Sequence, residues 1–417
     1  MFVAWQAERT RMVRRLFIAA CLVPCAAVAG WAAWRHGAGH RDGLRTSLEE
    51  ALGTGLSIGR VEHLRPGCVR LERVAVQDDR GRTVLRLDAA ELEWSAGEVR
   101  FRVPALDLDP AVAAIAAGAA RDWLAEPRRF PRDVVVEIGE ILSPPPPGPA
   151  DPAPRGLRVE CVAAPTGRAV RVRTEPEGGD GLVVQAFAGH DGEPSRVETH
   201  GVAVASLPIE VAAALLDWPE LPEATGPGAT LSGTLATTIA DGRLAGTFAG
   251  VLDRVDLAAC TRRLPFRAEG GVRVAIEGCR VEDGRLAELR ATVTGSAGAV
   301  ERTALEALAG ALGARPGAAW PTRTATASFD LLRARIDLDA DGLRVSGVGN
   351  GAIVSRNGAA ILEAPPNAVP VDRIAWALSP PAAAQVPATA VTGWLLSVLP
   401  LPRSADAAQA RPAAPRR

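Results

Sequence analysis

"GCVRLERVAVQDDRGRTVLRLDAAELEW", Gly67 to Trp94, decides the fold. Polar and apolar residues alternate along it, and the alternation breaks once, at Asp78-Asp79-Arg80-Gly81. Val69 and Leu71 share a face, and so do Val74 and Val76; Leu85 pairs with Leu87 in the same way, and Leu92 with Trp94. The phase slips midway in each run, as a β-bulge would make it. One apolar face backed by an Arg/Glu face is the pattern of a half-buried antiparallel sheet. "LSIGRVEHL" ahead of it and "EVRFRVPALDL" behind it extend the series.

The pattern resumes along most of the chain. "DVVVEIGEIL" is followed by "SPPPPGPADPAP", Ser143 to Pro154, a stiff linker or loop and the main internal boundary. Beyond it come "LRVECVA", "AVRVRTE", "GLVVQAFAG" and "SRVETHGVAVASL". Asp-Gly then recurs between apolar runs at Asp241-Gly242, Asp283-Gly284 and Asp341-Gly342, a strong hairpin signal. Helices are few: 43–52, the Ala-rich 110–126 with Pro110 at its start, 209–218 and 300–313. "ATAVTGWLLSVLPLP" is apolar but too short to span a bilayer, and the tail from Arg403 reads as disordered.

At the other end, Arg9, Arg11, Arg14 and Arg15 precede an uncharged run from Leu16 to Trp34. That run has about the 20 residues a spanning helix needs, and Trp31 and Trp34 sit where indoles favour the interface. An uncleaved anchor is the first reading. A cleaved signal ending at Ala27-Val28-Ala29, and a lipoprotein box at Ile18–Cys21, are the alternatives. The four clustered arginines favour a cytoplasmic N-terminus.

The 417 residues carry a formal net charge of -1, so no overall field argues for nucleic acid. An aromatic content of 4% leaves little for base stacking. Every basic residue is Arg and Tyr is absent, the mark of a GC-rich genome rather than of a special role for Arg. Cys21 and Cys25 fall in the anchor, leaving Cys68, Cys161, Cys260 and Cys279 for a disulfide-permissive compartment. Cys260 and Cys279 are the closest of these in sequence and are the expected disulfide, with four small buried thiols as the alternative.

Candidate chemistry is sparse. No GxSxG, HExxH or Walker A pattern occurs. His36 and His40 are four residues apart, but Arg35 and Arg41 flank them and disfavour a bound cation. "DLDADG" (337–342) lacks a glutamate at the twelfth position of a calcium loop, and "GVGNG" (347–351) lies between strands, as a turn does. No catalytic residue, metal site or cofactor is expected, and the chain reads as non-enzymatic.

An apolar anchor, a short helix and "LEEALGTGLSIGRVEHLRPGCVRLERVAVQDDRGRTVLRLDAAELEW" together resemble the start of AsmA-like envelope proteins, relatives of the translocation and assembly module family. The resemblance covers about residues 14–103 and, more loosely, 228–378, including "FDLLRARIDLDADGLRVSGVGNGAIVSRNGAAIL". It implies an elongated, curved, mostly antiparallel β-sheet with an apolar groove that binds or guides lipids or supports envelope biogenesis. Membrane lipids, and other envelope assembly proteins, are then the partners. Stacked β-sandwich domains are the alternative fold, and a scaffold that binds a protein through a sheet edge is the alternative function.

The expected organisation is a cytoplasmic basic segment 1–15, an inner-membrane anchor 16–34 and a β-domain 43–142 with helix 110–126. A linker 143–154, a β-rich region 155–402 in the periplasm and a tail 403–417 follow. The expected lipid-facing residues are Val69, Leu71, Leu85, Leu87 and Phe101, with Arg70, Glu72 and Arg86 pointing to water.

Overall fold

The structure is a computed structural model. It describes residues 2–400 except 36, 53, 78–80, 108–109, 126–131, 143–154, 165–166, 176–181, 190–196, 217, 241–242, 265, 348–350, 371–372 and 374–398. The protein is mainly β and divides into two compact units, Met1–Leu106 with Arg128–Ile138, and Asp107–Pro127 with Gly139–Arg417. The expected linker 143–154 lies outside the described residues, and the described part of helix 110–126 falls in the second unit.

The first unit opens with α1 (Phe2–Phe17), one π-helical turn (Ile18–Leu22) and α2 (Val23–Arg35). Pro24 lacks an N–H and its ring crowds the carbonyl four residues back, at Ala20, inside the π turn. Arg9–Arg35 is a 27-residue stretch long and apolar enough to cross a membrane. Its Leu16, Phe17, Leu22 and Val28 are exposed. Next come α3 (Ala38–Leu52), β1 (Gly55–Arg65), β2 (Cys68–Gln77), β3 (Thr83–Trp94) and β4 (Glu98–Asp107), the strands pairing antiparallel in sequence order.

The phase slips read from the sequence occur in register. Val69 opposes Leu92, Leu71 opposes Ala90, Val74 opposes Leu87 and Val76 opposes Leu85, with no register shift between them. On β1, Ile58 opposes Val74 and Val61 opposes Leu71. All three strands therefore change phase at the same level, near Gly59, Arg73 and Asp88, and the apolar face stays continuous. Arg73 carries the switch with a left-handed φ of 53°. Helix α3 lies against this face, its Leu48 joining Leu56, Ile58, Val69, Leu71 and Leu92 in one core, while Glu49 accepts the Leu56 N–H at 3.0 Å.

The other face is polar. Arg70 pairs with Glu91 at 3.0 Å, and Arg102 reaches Glu137 of β5 (Asp133–Leu142) at 3.0 Å. The hydrogen bond to Glu137 raises the Arg102 pKa above its ordinary value. Exposed pairs of this kind contribute under about 1 kcal/mol each, so they order the face more than they stabilise it.

The second unit contains α4 (Pro110–Ala125) and then β6 (Arg155–Ala164), β7 (Gly167–Glu175), β8 (Leu182–Gly189) and β9 (Val197–Pro208). Helices α5 (Ile209–Leu216) and α6 (Leu221–Thr225) lead to β10 (Thr230–Ala240) and β11 (Arg243–Asp256). After α7 (Leu257–Thr261) come the long β12 (Ala268–Glu282) and β13 (Arg285–Glu301), then α8 (Arg302–Leu312). Short strands complete it: β14 (Arg315–Pro316), β15 (Thr326–Phe329), β16 (Leu331–Asp339), β17 (Gly342–Gly347), β18 (Ala352–Arg356) and β19 (Ala359–Glu363).

From β6 to β13 each strand pairs antiparallel with the next, and β13 then pairs with both β15 and β16. The strands form one open antiparallel series, not the two facing sheets of a sandwich.

Turn chemistry explains the hairpins. Asp283 (φ 51°) and Gly284 (φ 75°) form the two-residue turn between Glu282 and Arg285, with both residues left-handed. Asn357 (φ 51°) and Gly358 (φ 77°) do the same between Arg356 and Ala359, a hairpin the sequence reading did not single out. Asp341-Gly342 differs: Asp339 opposes Gly342, so the turn is Ala340-Asp341 and the glycine begins the strand. Asp241-Gly242 lies outside the described residues, although Ala240 opposes Arg243 across it.

Candidate functional site

The second unit carries a continuous apolar row across ten strands. Val159 opposes Val172, Val172 opposes Val184, and Val184 opposes Gly201. Gly201 opposes Leu235, Leu235 opposes Phe248, and Phe248 opposes Cys279. Cys279 opposes Leu289, which opposes Leu338, which opposes Leu343.

One residue along each strand, the row is polar: Glu160, Arg171, Gln185 and His200 line up, as do Thr247, Arg280 and Glu288 with Ala236 between the two sets. Adjacent strand residues point to opposite faces, so along this row the sheet is apolar on one side and polar on the other; Val183 and Val202, which oppose each other on the polar side, are exposed as well. The side chains from Val159 to Leu289 are only half-buried; Leu338 and Leu343 are buried. The oily side is therefore partly uncovered. At the β10–β11 end, Ile239 and Leu244 oppose each other and are exposed.

Toward β13 the same side holds a cavity of about 320 Å³, lined among others by Phe266, Leu308, Phe329, Ile336 and Val345, with no polar surface on its walls. This falls at the small end of the range for ligand pockets. Helix α8 roofs it with Ala304 and Leu305, ending at Gly313, whose left-handed φ of 72° is the usual helix stop. The only hydroxyl in the lining is Thr261, whose Oγ1 donates to the Leu257 carbonyl at 2.8 Å and so withdraws from the cavity. A polar opening of about 620 Å³ near Glu282, Glu288 and Asp339 is a separate feature, lined by Arg280 and Arg285 as well.

The residues expected to face lipid lie in the first unit and on one face. They differ in cover: Val69 is 0% and Leu71 2% exposed, locked into the core with Leu48 of α3, whereas Leu85, Leu87 and Phe101 are half-buried. Arg86 is exposed and Arg70 and Glu72 are half-buried. The row through Leu235, Phe248 and Leu289 was missed by sequence reading. Each strand shows the alternation, but the register that joins the strands into one row is set by the hairpin turns.

Cys260 and Cys279 are free thiols, which corrects the expected disulfide. Cys260 is on α7, directly after the point where Asp256 opposes Gly271. Cys279 lies eight residues further along β12, roughly 25 Å away at the rise of a strand. A disulfide needs Cα atoms within about 7 Å. Cys260 is exposed and Cys279 half-buried, yet partial desolvation of the sulfur raises the pKa of both thiols, and the Asp256 charge adds to it at Cys260. Cys68 is a buried free thiol, and Cys161 is buried.

Among the described residues no group of three or more His, Cys, Asp or Glu side chains could hold a metal ion. Asp339 of "DLDADG" accepts the Asp341 N–H at 2.8 Å as a local turn.

A mainly β chain with one open sheet that carries an apolar row, and with an N-terminal helix able to cross a membrane, is thus the class of protein that fold and site define. No family model, no curated protein and no solved structure matches the chain.

Proposed function

We propose that this protein is a non-enzymatic, AsmA-like envelope protein, held in the inner membrane by its N-terminal helix with the bulk of the chain in the periplasm. Its apolar sheet face binds or guides lipid acyl chains. The observation that carries the reading is the half-covered apolar row from Val159 to Leu289, continuous with a dry cavity. An uncovered apolar surface of this extent is costly in water and is relieved by an apolar ligand.

Photocrosslinking in cells tests it. A benzophenone side chain at Phe248 should capture phospholipid, and the same group at Thr247, which points to the polar face, should not. Equal capture at both positions, or none at Phe248, would remove the reading.

A protein scaffold is the second reading. Among the described residues β1 pairs only with β2, so its outer edge offers backbone groups to an added strand. Benzophenone at Ser57 or Arg60 that captured a protein while Phe248 captured nothing would favour it.

A further inference from the structure

We propose that His40 and His63 form a two-imidazole site for a borderline divalent transition-metal ion of the Zn²⁺ or Cu²⁺ class, where the membrane-type helix meets the sheet. The two rings come from different elements, α3 and β1, and their centroids lie 5.1 Å apart with a 33° tilt. With metal–nitrogen bonds near 2.0–2.1 Å, two imidazoles around one tetrahedral ion have centroids roughly 5 Å apart. The observed spacing matches that of an ion-bridged pair, a spacing that ring-on-ring packing also gives.

His40 Nε2 is buried and has no hydrogen-bond partner. A buried nitrogen of this kind is costly unless something binds it, and a metal ion uses the neutral lone pair. Both histidines are half-buried, although His40 Nε2 itself is closed to solvent, so an ion would enter as the two rings part. His63 opposes Val69, on the apolar face of the sheet, and the ring centroids of Trp34 and His40 lie 5.2 Å apart. Both contacts hold the rings.

The cationic neighbours that argue against an ion in the sequence are engaged elsewhere. The Arg35 guanidinium lies 4.5 Å over the Trp31 ring, Arg41 pairs with Asp42 at 3.7 Å, and Arg45 pairs with Glu49 at 3.8 Å. Imidazole ligands suit Zn²⁺ and Cu²⁺ over the hard ions Mg²⁺ and Ca²⁺. Two protein ligands leave the remaining coordination positions of a bound ion to water or another ligand. A bound ion would pin α3, and with it Leu48, to β1.

The test uses the full chain in detergent micelles, without a polyhistidine tag and stripped with chelator, dialysed against Zn²⁺ alone. One equivalent should bind, and His40→Gln and His63→Gln should each weaken binding about tenfold or more. His36→Gln and His190→Gln should leave it unchanged. If His36→Gln weakens binding and His63→Gln does not, the site is the i,i+4 pair and the proposal fails. It fails too if wild type binds no more tightly than the His40→Gln/His63→Gln double variant. Because His63→Gln could disturb the fold, the X-ray absorption spectrum of the wild-type Zn²⁺ form gives an independent reading. Two imidazoles per ion support the site; one or none overturns it.

Discussion

Arg73 stands directly against the bare backbone of Gly59: a Cβ placed on Gly59 would lie 3.0 Å from the Arg73 Cβ and 3.2 Å from the Glu72 carbonyl oxygen. This close approach lets β1 and β2 change phase at one level without losing register. Gly59→Val should force the strands apart and destabilise the first unit by about 1–3 kcal/mol. Arg73→Gly should stabilise it by up to about 1 kcal/mol, because glycine takes a left-handed φ without strain. Hydrogen exchange of the peptide covering residues 55–77 reads both. Faster exchange in Gly59→Val with unchanged or slower exchange in Arg73→Gly is expected, and the opposite order would contradict this account of the slip.

That relationship marks how far the sequence was legible. The slips in 69–76 and 85–92 were visible, because a switch from odd to even apolar positions needs no knowledge of neighbours. That they coincide across three strands was not, since register depends on turn lengths. The helices were legible from their Ala- and Leu-rich faces, but the partner of α4 was not. Helix amphipathicity says that a face is buried, not what buries it. Cys260 and Cys279 were misjudged for a related reason: closeness in sequence along a 15-residue strand is distance in space.

The thiols give the second prediction. Non-reducing peptide mapping should find no Cys260–Cys279 link. Partial desolvation raises both thiol pKa values, at the exposed Cys260 as at the half-buried Cys279, so less thiolate is present at pH 8 than for an ordinary cysteine. Alkylation of both should be slower than that of a model thiol at pH 8 and should keep rising with pH where the model thiol has levelled off. Rates equal to the model thiol at pH 8 would mean that neither thiolate is desolvated and would overturn the raised pKa values.

Arg168 gives the third. Its guanidinium lies 4.4 Å over the Trp123 ring and donates to the Trp123 carbonyl at 2.8 Å, both residues being buried. One residue thus fastens α4 to β7. Lysine keeps the charge but loses the flat stacking surface and the fixed fork. Arg168→Lys should destabilise the second unit by about 1–3 kcal/mol, seen as a lower urea midpoint. Trp123→Phe, which keeps an aromatic face, should cost less.

The last prediction separates core from ligand-lined surface. Val69 is fully buried against α3 and its strand neighbours, Leu87 is half-buried opposite Val74, and Phe248 is half-buried in the apolar row of the second unit. A carboxylate at Val69 has no route to water and no partner, which costs several kcal/mol, on the order of a domain's whole stability. Val69→Asp should therefore leave the first unit unfolded and protease-sensitive. At Leu87 and Phe248 the carboxylate can turn toward solvent, so Leu87→Asp and Phe248→Asp should remain folded and protease-resistant. If the sheet face holds acyl chains, Phe248→Asp should nevertheless lose co-purifying phospholipid, because a charge in that row repels an apolar ligand without breaking the fold. Mass spectrometry of lipid extracted from each purified variant decides this. A folded Phe248→Asp protein with its full complement of phospholipid would show that the row does not bind lipid.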